Sequence, residues 1–181
     1  MKKLSIICGL TILLGSIVTA DEVLKHQVDS KTFESPNKHF EARVVDFNKK
    51  DKFVEARIYL REKANKKVFV CDLTSADGEH GRYVLKATWT PSSKFFIFST
   101  ESTGLHSVWH TTTFFFSVDQ SHFYRLDDAI GSVVGGDFSI DKNGRITLEV
   151  RKGADDVKKT IDLETLGKLS PIEEEQKSPS E

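Results

Sequence analysis

The stretch from Thr100 to Thr111 concentrates side chains that could do chemistry: Glu101, His106, Trp109 and His110, with Gly104 among them. Imidazole and carboxylate are donors that a divalent metal takes. A histidine also titrates near neutral pH, so it can move a proton or direct a hydrogen bond. Spacing limits the metal reading. His106 and His110 are four residues apart, which on a strand places them on one face but ~13 Å from each other. Only a curled loop brings both within ~2.1 Å of zinc, with Glu101 or His122 as a third ligand. A second reading makes Trp109 the apolar anchor of a ligand or partner site, with His106, His110, Ser102 and Ser107 supplying hydrogen bonds around it. The structural alternative packs Trp109 on a sheet edge and bonds the imidazoles to loop backbone. We assign Glu101, His106, Trp109 and His110 as candidate ligand- or partner-binding residues, with no catalytic residue, metal or cofactor.

Catalytic templates are absent elsewhere. The chain has no G-x-S-x-G elbow, no H-E-x-x-H, no G-x-x-x-x-G-K and no dinucleotide fingerprint. Gly131 with Gly135-Gly136 precedes no helix that could present its N-terminus to a phosphate. Asp127-Asp128 and Asp155-Asp156 are adjacent pairs, which alternate faces on a strand. Asp137, Asp141 and Asn143 sketch part of a calcium loop without the later Glu or the flanking helices, so a plain turn accounts for them. The pattern favours a non-catalytic role. Its alternative is a small metal-assisted hydrolase using His106, His110 and Glu101.

The elements that must hold this loop read as strands separated by turn residues. Phe40–Phe47, Phe53–Leu60, Val68–Leu73 and Tyr83–Trp89 carry the strand pattern. Lys94–Ser99 and Thr112–Val118 are apolar on both faces, as in central strands covered from two sides. Phe96, Phe98, Phe114 and Phe116 should form the central core, with Trp89 at one end. Phe123–Leu126 is short, Gly135-Gly136 breaks the chain before Asp137–Ile140, and Asp141-Lys142-Asn143-Gly144 signals a hairpin. Arg145–Val150 and Val157–Leu163 follow, and Leu163–Leu169 has room for a helical turn or two. The expected class is all-β, about nine to ten strands in antiparallel meanders, arranged as a partial propeller or β-sandwich.

A repeat emerges on aligning these strands. Phe47, Trp89 and Phe138 each precede a polar turn, a basic residue and an apolar strand, and lie 42 and 49 residues apart, near the period of propeller blades. Trp89-Thr90-Pro91-Ser92-Ser93-Lys94-Phe95-Phe96-Ile97-Phe98 resembles the W-S-P-D-G-K turn of WD40-like blades, including those of the periplasmic Tol translocation propeller. Ser92 and Ser93 stand where that family has Asp and Gly. Residues 87–128 also resemble a segment of uncharacterised secreted bacterial proteins, through Phe98-Ser99-Thr100-Glu101-Ser102, Gly104, His106-Ser107-Val108-Trp109-His110 and Phe114-Phe115-Phe116. That resemblance covers roughly a quarter of the chain and implies no activity.

The ends differ from the middle. Lys2 and Lys3 precede an apolar run from Leu4 to Ile17, and Val18-Thr19-Ala20 offers small residues for a signal peptidase. The run is too short for a bilayer span, which takes ~20 residues. We therefore expect cleavage near Ala20 and a periplasmic or secreted chain without a transmembrane segment. Residues 21–38 read as irregular, 39–170 as one all-β domain, and 171–181 as a disordered acidic tail. The 181 residues carry 26 basic against 27 acidic side chains, which gives no basic footprint for nucleic acid. Cys71 is the sole cysteine beyond the leader. It sits in the apolar run Val68-Phe69-Val70, so a buried thiol is expected. The expected partner is an unidentified protein or small molecule of the cell envelope. A blade-like fragment could also pair with itself, as a homo-oligomer.

Overall fold

A computed structural model describes residues 27–48, 54–103, 110–167 and 169–172. Residues 1–26, which include the expected leader, and residues 173–181 of the expected tail lie outside the described residues. Within them the chain forms eleven antiparallel strands: β1 (Gln27–Glu34), β2 (Phe40–Asn48), β3 (Val54–Glu62), β4 (Val68–Asp72), β5 (Arg82–Trp89), β6 (Phe95–Ser102), β7 (Thr112–Ser117), β8 (His122–Arg125), β9 (Val133–Ile140), β10 (Ile146–Lys152) and β11 (Asp155–Ile161). One helical turn, α1 (Asp127–Ile130), precedes β9, and a 3-10 turn, Leu163–Thr165, follows β11. The strands pair in chain order into three meanders: β1–β4, β5–β8 and β9–β11.

The two-residue alternation of β6 and β7 sets how these meanders stack. Phe96, Phe98, Phe114 and Phe116 share one face and pack with Ile58, Leu60, Phe69 and Trp89, so the first sheet lies on that side. Ile97 and Phe115 take the other face and join Phe138, Ile146, Leu148 and Val150 of the third sheet. Every residue of β7 is buried. The fold is thus all-β, with the middle sheet covered from both sides, and the expected Phe core forms as its periodicity predicts. Each fully buried Phe or Ile contributes about 1.5–3 kcal/mol of transfer free energy. Trp89 closes one end, its indole N–H donating to the Phe33 carbonyl at 3.0 Å. Cys71 is buried and lies outside any disulfide.

Several local readings change. Residues 27–34, expected to be irregular, form β1, because an edge strand needs only backbone pairing on one side and here contributes Phe33 to the core. Gly135-Gly136 does not break the chain before Asp137, because both glycines lie inside β9. Both glycines adopt left-handed φ, +74° and +65°, and bulge the strand where its pairing with β10 shifts register. At Gly136 a Cβ would stand 2.4 Å from Leu85 Cδ1, and its carbonyl accepts the Ser99 hydroxyl. Asp127-Asp128 opens α1 rather than lying in a strand. Ile172, assigned to the tail, packs against the aromatic core and donates its N–H to the Phe123 carbonyl at 2.9 Å.

The aligned turns occupy unequal places. They follow the second strand of the first meander but the first strand of the other two, so the 42- and 49-residue spacing does not mark equivalent positions. At the middle turn Ser93 holds φ +62° where the blade turn has Gly. Its hydroxyl accepts the Asn37 N–H at 2.9 Å, which ties the turn to the first meander.

Candidate functional site

The 100–111 segment joins β6 to β7 at one end of the middle sheet. Residues 104–109, including His106 and Trp109, lie outside the described residues. Glu101 and His110 stand at the two strand ends, and both are held by neighbours from other elements.

Glu101 pairs across from Tyr83 on β5 and accepts its hydroxyl proton. That bond pushes the Tyr83 phenol up to about 12, with burial adding to it. His110 forms a single bridge to Val134 of β9, and the next residue, Thr111, donates its N–H to the Val133 carbonyl at 3.1 Å. His110 Nε2 hydrogen-bonds Asp127 Oδ1 at 2.8 Å, with side-chain exposures of 28% and 8%. The Asp127 carboxylate is fixed in turn by the Thr113 N–H at 2.9 Å. A half-buried imidazole is therefore clamped by a nearly buried carboxylate that backbone holds in place.

The departure point of the loop is clamped as well. Thr103 donates its N–H at 3.0 Å and its hydroxyl at 3.1 Å to the Gly81 carbonyl. Gly81 in turn donates its N–H to Glu55, a carboxylate only 1% exposed, at 2.6 Å. Glu55 also takes the Ser75 N–H at 2.8 Å and hydroxyl at 2.6 Å. This close approach requires glycine, since a Cβ at Gly81 would stand 2.3 Å from the Glu55 carboxyl carbon. Arg82, the next residue, is half-buried near this end. Burial lowers the pKa of its guanidinium, and the Asp127 charge opposes that.

Shared metal ligation receives no help from this arrangement. The Glu101 carboxylate is engaged by Tyr83 and His110 Nε2 by Asp127. His122, the alternative third ligand, pairs with Ser117 at the far end of β7. It stands ~17 Å along the strand from Thr112, too far to reach an ion bound here. Among the described residues, a group whose His and carboxylate atoms come within 4.8 Å of one another lies elsewhere, at Asp77, Glu79 and His80. There the Ser75 hydroxyl and His80 hold the Asp77 carboxyl at about 2, so hydrogen bonding within the turn accounts for the cluster.

Sequence reasoning located Glu101 and His110 but missed Asp127, Tyr83 and the Glu55–Gly81 clamp. Each acts across 14 or more residues of chain, where no local pattern marks a partner. The fold is an all-β protein of three stacked meanders, and at one end of the middle sheet Thr103 and His110 are hydrogen-bonded to other elements. No protein-family model, curated protein or solved structure matches this chain. Among the described residues, no helix is long and apolar enough to cross a membrane.

Proposed function

We propose that the chain is an exported, non-catalytic binding or envelope-associated module whose binding face is the 100–111 end of the middle sheet. The observation that carries this reading is the double clamp, Thr103 held through Gly81 and His110 through Asp127. A loop mounted on fixed ends loses less conformational entropy on binding than a free one. Trp109 supplies apolar contact area on such a mount, and His106, His110, Ser102 and Ser107 supply directed hydrogen bonds. The leader-like residues 1–20 support export. Three meanders packed in series are consistent with the blade-like reading of residues 87–128, as a partial propeller.

Two measurements test it. In the envelope fraction of producing cells, the intact mass should correspond to a chain starting at Asp21. The purified mature chain should co-sediment with isolated envelopes, and Trp109→Ala should lose that retention while its stability falls by less than ~1.5 kcal/mol, below the cost of a truncated core aromatic. Equal sedimentation of wild type and a folded Trp109→Ala would sink the binding face. An uncleaved cytoplasmic chain would sink export.

A further inference from the structure

A cleft of about 400 Å³ opens at the opposite end of the same sheet face, between β6–β8 and the segment around the 3-10 turn. It arises because the third sheet has three strands and leaves part of that face to Leu163, Leu166 and Leu169. Its floor is aromatic. Phe115 stacks on Tyr124 with centroids 5.3 Å apart, and Phe95 meets Phe115 edge-on at 5.8 Å. This size belongs to small-molecule sites, and polar groups share the lining with the aromatic floor.

Two observations say what kind of molecule fits. Tyr124 is only 6% exposed and lines the cleft, yet its hydroxyl makes no hydrogen bond among the described residues. Burial alone raises its pKa. The ring is buried while the hydroxyl stays accessible at the cleft, open to a ligand's hydrogen bond. The mouth, in turn, is anionic. Lys94 donates to Glu164 at 2.9 Å and also feels the charges of Asp119 and Asp162. Among the described residues two carboxylates, Glu164 and Asp119, line the mouth beside one cation, with Asp162 close by.

We propose that this cleft binds a small aromatic amine, its ring among Phe95, Phe115, Leu163 and Leu166, an oxygen on the Tyr124 hydroxyl, and its ammonium among the mouth carboxylates. The site is separate from the loop face and stands or falls without it.

Tyramine is the probe, titrated into the full chain and followed by amide chemical shifts and calorimetry. It should bind with a Kd of ~1 mM or tighter, with shifts centred on Leu163–Leu169 and the β7–β8 turn. The same ring ending in a carboxylate, 4-hydroxyphenylacetate, should bind about tenfold more weakly, and Asp119→Asn should narrow that gap. Tyr124→Phe keeps the ring stacking and should weaken tyramine about fivefold at an unchanged melting temperature. Leu166→Trp should fill the cleft and abolish binding; if it fails to fold, Tyr124→Phe decides. Absence of cleft shifts at millimolar tyramine, undiminished binding by Tyr124→Phe, or equal affinity for acid and amine would overturn the proposal.

Discussion

The middle sheet has two faces built from alternate residues of the same strands, and they are not alike. Toward the first sheet, Phe96, Phe98, Phe114 and Phe116 meet a four-stranded cover, and Thr100 on that side bonds the Thr112 carbonyl at 3.0 Å. Toward the third sheet the cover is three strands and a 3-10 turn. There the hydroxyls of Thr111 and Thr113 are buried without a partner among the described residues, Asp127 is nearly buried, and a cleft remains. One face is closed, and its Thr100 hydroxyl is bonded. The other keeps polar atoms and open space, and the loop mount at His110 belongs to it. The even residues of β6 and β7 thus carry the closed aromatic core, and the odd residues of β7 carry the unbonded hydroxyl of Thr113 and the floor of the cleft.

Truncating aromatics on the two faces gives the largest test of that division. Phe98→Ala should cost about 4–5 kcal/mol in urea unfolding, and Phe115→Ala, beside an existing cleft that eases relaxation, about 3 kcal/mol. Equal losses would break the contrast. Next, Asp127→Ala strands the Thr113 N–H and the His110 ring, and should destabilise by about 1–3 kcal/mol. A chain as stable as wild type would show that the clamp holds nothing.

Threonine-to-valine swaps should differ in sign between the faces. Thr100→Val removes a made hydrogen bond and should cost about 1 kcal/mol, whereas Thr113→Val removes an unpartnered hydroxyl and should be neutral or stabilising by up to ~1 kcal/mol. The smallest effect is on titration. Tyr83 should ionise near pH 12 by ultraviolet absorbance, and Glu101→Gln should bring it back toward its ordinary value of 10. The folded-state value is the raised one. The contribution of this pair to stability is therefore complete below pH 10 and lost as the pH rises through about 12. An unmoved midpoint in Glu101→Gln would separate Glu101 from Tyr83.

The closed face was legible in the chain and the open one was not. Phe96, Phe98, Phe114 and Phe116 announce themselves because a period of two on consecutive apolar strands has one packing solution, and Asp141–Gly144 turns as its residue types require, with the Gly144 N–H bonded to the Asp141 carbonyl. β1 escaped notice because an edge strand is held by backbone bonds that side-chain types do not encode. Asp127 looked like half of an adjacent acidic pair because its partners, His110 and Thr113, arrive from another strand. Gly135-Gly136 read as a break because a bulge and a turn ask for the same positive φ. The cleft follows from how far the third sheet extends, which no residue pattern states.

The double covering of the middle meander also sets a schedule for synthesis. As the chain emerges from its N-terminus, the four strands that will cover Phe96 and Phe98 are already made when β8 ends at Arg125. The opposite face waits for β11, which ends at Ile161. At ~5–20 residues per second that delay is roughly 2–7 s, during which Ile97, Phe115 and Tyr124 stand bare, available to a chaperone or to another nascent chain.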